Sequence, residues 1–399
     1  MRYGLALLAL LLFALPARAG DPMAYWDAQP RRGANSFNGA PPSQAYFDAL
    51  GATGAEWVRL TWGKWDSAGD GTFLIGDPSD YRGLVEADVA VLRAAIARAD
   101  ASGLRVVMTP LTLPGSVWSQ HNGDELDDRI WSDRRYWAQA ARYWADLAAA
   151  FADTDAVIAY NLVNEPTPER PVGHESGTVE ENRAWYGEQS RTPRDLPGLY
   201  ATLIDAIRAV DPDTPIMLDG GFYAGPSGLD YFPALEDDRL LYAFHMYQPW
   251  AATSPWNVRN GMTLTYPGEM EIWGRTELWD AERVRATLER PRQWAERVGV
   301  APGRIVLGEF GCVRYIPWCG TYLDDVLDGA EAMEMHWAFY AFREDVWDAM
   351  DYEYGPDRKT GRAMYGLDEA ERWSLYPGED NPVFDPIRRR LARDGAGAD

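Results

Sequence analysis

The chain has 399 residues, 46% of them hydrophobic, with two cysteines and a formal net charge of −23. So acidic a surface repels phosphate backbones and anionic headgroups, which argues against nucleic acid or a membrane as partner and suits a neutral ligand. The apolar fraction is ample for one large core.

The first segment in chain order is expected to lie outside the fold. Arg2 gives a positive start, Leu5–Leu15 is an apolar run too short to span a bilayer, and Ala17-Arg18-Ala19 has the small-x-small pattern of a cleavage site. Residues 1–19 therefore read as an export signal, and residues 20–399 as one domain of a secreted or periplasmic protein. No later segment is long and apolar enough to cross a membrane. In an oxidising compartment Cys312 and Cys319 could pair, for about 2.5 kcal/mol from loop closure. Two reduced thiols are the alternative.

Past residue 20, strand and helix patterns alternate. Strands are predicted at Gly33–Phe37, Glu56–Thr61, Leu104–Thr109, Ala156–Val163, Pro215–Asp219, Leu240–Met246, Arg304–Leu307 and Trp337–Phe342. Helices are predicted at Ser43–Ala49, Glu86–Ala101, Asp133–Phe151, Pro197–Val210, Asp280–Arg297, Tyr322–Met333 and Pro386–Arg393, with Gly221–Asp238 the weakest place for one. Eight strands alternating with helices predict the α/β class and a closed parallel (β/α)8 TIM barrel. Tyr136, Trp137, Ala140, Tyr143, Trp144, Leu147 and Phe151 recur at helical spacing and read as packing of a helix on the barrel.

Helix-to-strand connections are short, whereas most strand-to-helix connections are long, and in a barrel the latter emerge on the face where active sites form. Trp62, Trp65, Trp118, Trp250, Trp256, Trp318 and Trp347 fall in such loops, out of eighteen Trp in the chain. Flat aromatic rings around a cleft suit the C–H faces of sugars, although some of these rings would simply pack loops together.

Two carboxylates end apolar strands: Glu165 in Asn161-Leu162-Val163-Asn164-Glu165-Pro166, and Glu309 in Ile305-Val306-Leu307-Gly308-Glu309-Phe310. A carboxylate there is costly unless it has a partner or a task. Hydrolysis of a glycosidic bond needs two, one protonated to release the leaving oxygen and one ionised.

At this point the chain resembles the glycoside hydrolases of clan A, and most closely family 5, the cellulase family. The likeness rests on Asn164-Glu165-Pro166 at the fourth strand, Glu309 at the seventh, Arg59 in Trp57-Val58-Arg59-Leu60, and His245 and Tyr247 in Phe244-His245-Met246-Tyr247. The resemblance implies a retaining β-glycosidase needing no cofactor, with Glu165 as acid/base and Glu309 as nucleophile. It also implies Asn164 on the sugar 2-hydroxyl, and Arg59 and Tyr247 on Glu309. His245 and Tyr247, two apart on a strand, share a face. A β-linked glycan is the implied partner, and a monomer is expected.

Two positions depart from the family's pattern. Its histidine near the end of the third strand is replaced in Val107-Met108-Thr109-Pro110-Leu111. Its strand-eight tryptophan falls at Phe339-Tyr340-Ala341-Phe342, so Tyr340, Phe342 or a loop residue such as Trp347 would substitute. Trp62 and Trp250 are further candidates for sugar contact. The charge-dense Arg343–Asp351 reads as a sugar-binding or solvated loop. Asp66–Asp77 mimics a calcium loop, but Ala68 stands at a ligand position and no Glu closes it. Specificity stays open among β-1,4-glucan, β-mannan and exo-acting β-glucoside cleavage. A non-catalytic glycan-binding barrel and a metal-dependent barrel of the enolase kind are the alternatives from other classes. The latter would need acidic ligands closing strands three, four and five; Asp219 ends the fifth, but Thr109 and Pro110 end the third without one.

Overall fold

A computed structural model of the chain describes residues 20–392 except 120–121, 175–176, 255–260, 262–263, 273, 344–348, 357–366 and 377–380. Residues 1–19, Trp256 and Trp347 lie outside the described residues.

The eight barrel strands are β1 Arg32–Ser36, β2 Trp57–Thr61, β3 Arg105–Thr109, β4 Val157–Asn161, β5 Ile216–Asp219, β6 Leu240–Met246, β7 Ile305–Phe310 and β8 His336–Phe339. Each pairs in parallel with the next, and β8 returns to β1 to close the sheet. This is a (β/α)8 barrel in the predicted strand order. Helices Gln44–Ala52, Glu86–Ala101, Arg135–Phe151, Leu196–Arg208, Ala281–Val298 and Cys319–Ala332 surround it. Side chains mark several of their starts: Ser43 accepts from the Tyr46 N–H, Asp195 from Gly198 and Asp280 from Arg283. The aromatic stripe of Arg135–Phe151 is buried throughout, and Trp144 donates to the Leu162 carbonyl at 3.1 Å, fixing helix to strand.

Several elements among the described residues were not anticipated, among them the short helices Trp250–Thr253 and Glu369–Trp373. Helix Pro22–Ala28, capped by Asp21 with Pro22 at its first position, closes the N-terminal end of the barrel. Its Trp26 donates to the Ile158 carbonyl at 3.0 Å and packs edge-on against Trp57. Trp26→Ala would open that end at a cost of about 3–5 kcal/mol. Gly33 belongs to the same packing, because a Cβ there would lie 2.6 Å from the Trp57 ring. A helix at Val179–Gln189, begun by a Thr178–Glu181 capping box, sits in the loop after β4. A hairpin, Gly268–Ile272 with Arg275–Trp279, sits in the loop after β6.

The inner face changes character along its length. Trp57, Val107, Ala159, Met217 and Ala243 form an apolar layer with Met23 and Trp26. Two residues on, the same face carries Arg59, Thr109, Asn161, Asp219 and His245, all buried. A polar layer of this kind is costly unless its members satisfy one another.

The predicted seventh strand stops at Leu307, whereas β7 runs to Phe310 and holds Glu309 inside the sheet. The reason is a register shift between Phe244 and His245, where the partner of β6 jumps from Leu307 to Glu309. The Asp66–Asp77 loop is organised by a carboxylate: Asp88, fully buried, accepts from the Ser67 hydroxyl and the Ala68 and Leu74 N–H groups at 2.6–2.8 Å.

Candidate active site

The polar layer is one connected network centred on Arg59. Its guanidinium donates to Glu309 Oε1 at 2.6 Å, Asn35 Oδ1 at 3.1 Å, Asn161 Oδ1 at 2.7 and 2.9 Å, and Asn164 Oδ1 at 2.7 Å. Asn161 passes the chain on, donating to Asp219 Oδ1 at 2.8 Å. The other oxygen of Asp219 accepts the backbone N–H of Glu165 at 3.1 Å. Asn35 also donates to the Gly308 carbonyl at 2.9 Å, clamping the residue before Glu309. A fully buried cation is thereby surrounded by five oxygen contacts, which makes its burial tolerable.

The end of β6 reaches both carboxyls. His245 Nδ1 lies 2.8 Å from Glu165 Oε1, and the Tyr247 hydroxyl donates to Glu309 Oε2 at 2.8 Å. Gly308 leaves space for the imidazole, since a Cβ there would come within 3.2 Å of Nε2. Burial keeps the imidazole neutral by lowering its pKa. Burial likewise raises Tyr247 well above its ordinary value, so the phenol stays a donor.

Oxygen atoms of Glu165 and Glu309 and a ring nitrogen of His245 all lie within 4.8 Å of one another. That spacing could hold a cation, but Glu309 already faces the Arg59 guanidinium and the Tyr247 proton, so its charge is answered without one. Burial and the Asp219 charge raise the Glu165 carboxyl to about 8. Glu309 is also raised by burial, but the Arg59 charge and the Tyr247 hydrogen bond oppose the rise. The two coupled carboxyls therefore separate: Glu309 ionises first and Glu165 keeps its proton. Such a pair offers one acid and one anion across a common gap.

Glu165 sits beyond the end of β4 at φ 47°, a left-handed conformation that few non-glycine residues adopt, directly before Pro166. Strain of about 1–3 kcal/mol at such a position persists only where the surroundings fix it. Here Asp219 and His245 do so from two sides.

The remaining expected contacts divide. Tyr340 lies at the end of β8 with its ring 5.0 Å from Phe37, which in turn lies 5.8 Å from the Arg59 guanidinium. Phe342 instead packs against Tyr46, away from the network. Thr109, at the end of β3 where the family's pattern has a histidine, donates its hydroxyl to Asn161 Oδ1 at 3.4 Å. Trp62, 2% exposed, is packed in the core and presents no open ring face, and Trp65 and Trp318 are also buried. The sequence showed a Trp after a strand but not which way it turns. Trp250 is 48% exposed. Trp118 lines a cavity of ≈ 260 Å³ that also touches Asn164, Glu165, Asp127, Arg170 and Tyr223. The sequence pattern does not single out Asn35 or Asn161, and it offers Asp219 only as a metal ligand. Their signal was a polar residue inside an otherwise apolar strand.

Cys312 and Cys319 are bridged, just beyond β7. Among the described residues no helix is long and apolar enough to cross a membrane.

The sequence profile of the cellulase family, glycosyl hydrolase family 5, matches residues 23–345. No curated protein matches the chain. Among solved structures, an endoglucanase superposes with TM-score 0.61 at 16% identity, covering 92% of this chain and 99% of its own. A hyperthermophilic endo-β-1,4-glucanase in complex with substrate gives 0.61 at 17%, covering 93% and 100%. Thermotoga maritima Cel5A in complex with mannotriose gives 0.57 at 16%, covering 81% and 92%. At these identities the likeness speaks for the fold.

Proposed function

The chain belongs to glycosyl hydrolase family 5 and is an O-glycosyl hydrolase, and from that premise we propose that it cleaves β-1,4-linked glucan by double displacement. The observation that carries this reading is the pair of carboxyls whose oxygens approach within 4.8 Å with opposed proton affinities. Retaining enzymes use carboxyl groups about 5–5.5 Å apart, and inverting ones leave about 6.5–9.5 Å for a water.

Glu309, ionised and held by Arg59 and Tyr247, attacks the anomeric carbon. Glu165 gives its proton to the departing oxygen, then takes one from the water that releases the sugar. Asn164 offers its amide N–H to the 2-hydroxyl, because Arg59 already occupies its oxygen. Neutral His245 orients the Glu165 carboxyl without competing for charge.

An endo-acting glucanase is favoured by the endoglucanases among the structural neighbours. A β-mannanase is the second reading, because one neighbour was solved with mannotriose. Export is proposed too: residues 1–19 have the composition of a leader, and the Cys312–Cys319 bridge suits an oxidising compartment.

The test is a panel of soluble β-glucans and β-mannans with product sizing, plus NMR of the first-formed anomer. Glucan oligomers released with retained β configuration, and lost in Glu309→Ala, are the expected result. An α-anomer formed first would sink the double displacement.

A further inference from the structure

We propose that Glu169 is a positioning residue for the acid: it ties the turn at 222–224 to the segment that carries Glu165, and so fixes where the Glu165 proton meets the leaving oxygen. It acts through other residues and not on the substrate. The inference deepens the hydrolase reading and rests on Glu165 being the acid, as proposed above.

Glu169 is 1% exposed, and the proposed hydrolysis gives its carboxyl no chemical task. The neighbouring cation, Arg170, is turned to Asp128 at 2.7 Å. A buried carboxyl is costly unless its bonds repay the burial, so those bonds show what it is for. Its Oε1 accepts the Phe222 N–H at 2.6 Å, and its Oε2 accepts the Tyr186 hydroxyl at 3.3 Å. Tyr186 in turn lies so close to Gly221 that a Cβ there would collide with its hydroxyl.

Two routes lead from Glu169 to Glu165. One runs along the chain through Pro166, Thr167 and Pro168, all buried. Two prolines in three residues fix φ, so this link is short and stiff. The other runs through space. Phe222, Tyr223 and Ala224 have φ of 52°, 55° and 54°, three left-handed residues in a row and none of them glycine. Such a run is unfavourable at every residue and persists only where its ends are held. Glu169 holds the first end through the Phe222 N–H. At the other end the Ala224 carbonyl accepts the backbone N–H of His245 at 2.7 Å. Pairing of β5 with β6 stops at Asp219 and Ala243, so Ala224 takes the place that a further β5 residue would fill. On its other side His245 stands at the register shift between β6 and β7, where the ladder is irregular. The turn therefore supports the His245 main chain, and the imidazole passes that placement to Glu165 Oε1 at 2.8 Å. Both routes end on the strained acid, whereas Glu309 is held from within β7.

The test compares two aryl glycosides of the same sugar: 2,4-dinitrophenyl β-cellobioside, whose phenolate departs without a proton, and phenyl β-cellobioside, which needs the acid. Should mannan prove to be the substrate, the β-mannobiosides replace them. Glu169→Ala is expected to lower kcat/KM on the phenyl glycoside by roughly 10- to 100-fold, and on the dinitrophenyl glycoside by less than about threefold. A general loss of folded enzyme would lower both alike. Glu169→Gln, whose amide oxygen still accepts from Phe222 and whose N–H₂ can donate to the Tyr186 oxygen, should restore the phenyl rate. Tyr186→Phe leaves one buried oxygen of Glu169 unpaired and should show the same split, but weaker; it decides the matter if Glu169→Ala does not fold. Equal losses on both glycosides, no loss on the phenyl glycoside, or a loss that Glu169→Gln does not recover would overturn this inference. While dinitrophenyl release still depends on Glu309, any of those results leaves the hydrolase reading standing. Wild-type enzyme that turns over neither pair of glycosides in a Glu309-dependent way takes both down together.

Discussion

The two carboxyls of the site are held by different kinds of structure. Glu309 lies inside β7, and Arg59, Asn35 and Asn161 of its network are likewise strand residues on β2, β1 and β4, while Asn164 lies three residues past β4. Of the two side chains bonded directly to the Glu309 carboxyl, Arg59 is on a strand and Tyr247 stands one residue past β6. Glu165 stands beyond β4 in a strained conformation, held by the Asp219 carboxylate and the His245 ring. One half is therefore rigid and charge-balanced, the other strained, desolvated and short of positive charge. That asymmetry separates the proton affinities. Each half does what the other could not.

Removing each carboxyl in turn tests the comparison most severely. Glu309→Ala should lower kcat by roughly 10⁵, the scale on which loss of a covalent nucleophile is felt. Glu165→Ala should cost about 10²–10⁴ on substrates that need an acid. The smaller loss should shrink further on an aryl glycoside with a good leaving group, and added azide should restore rate through a β-glycosyl azide. Equal, unrescued losses would mean that the halves do not divide the work. Next in size is Arg59→Met. Breaking a buried ion pair on one side typically costs about 3–5 kcal/mol, read here as a lowered midpoint of thermal unfolding. The acid limb of the activity profile should also move to higher pH, because Arg59 is among the groups that lower the Glu309 pKa.

A milder probe of the strand-borne half is the bridge beyond β7. Cys312→Ser with Cys319→Ser should cost about 2.5 kcal/mol of stability through loop-closure entropy, measured by denaturant unfolding. Aryl-glycoside hydrolysis at low temperature should survive, since β7 holds Glu309 from within the sheet. If activity falls with stability, the strand alone does not fix that carboxyl.

The same division explains what the sequence disclosed. Strand residues were legible because alternation fixes the side on which they fall. Trp57 in the apolar layer places Arg59 in the polar one, and Ala243 does the same for His245. Glu165 and Glu309 were legible as carboxylates at the ends of apolar runs. The extent of β7 was not, because a register shift depends on its neighbour and leaves no local mark. Loop residues followed no such rule. Trp62 and Tyr223 both follow strands, yet one is buried and the other open, and the left-handed turn at 222–224 contains no glycine to announce it. The Val179–Gln189 helix did announce itself, through Thr178 and Glu181, but its amphipathic signal is weak.

The smallest effect bears on the junction between the halves. Asp219 accepts from Asn161, on the Arg59 side, and from the backbone of Glu165. Its charge is among the causes that raise Glu165 to about 8. An acid catalyst works only while protonated, so kcat/KM should fall as pH rises through about 8. In Asp219→Asn the negative charge is gone, the Glu165 pKa falls, and the alkaline limb must move to lower pH. His245, held neutral by burial, adds no limb of its own in that range. The substitution has a second consequence, because both Asp219 oxygens accept and one would become an N–H₂ facing a donor. That loosening lowers the height of the profile, whereas the lost charge moves its position. A lower profile with an unmoved alkaline limb would show that Asp219 acts as a brace alone, and that burial by itself holds the proton on Glu165.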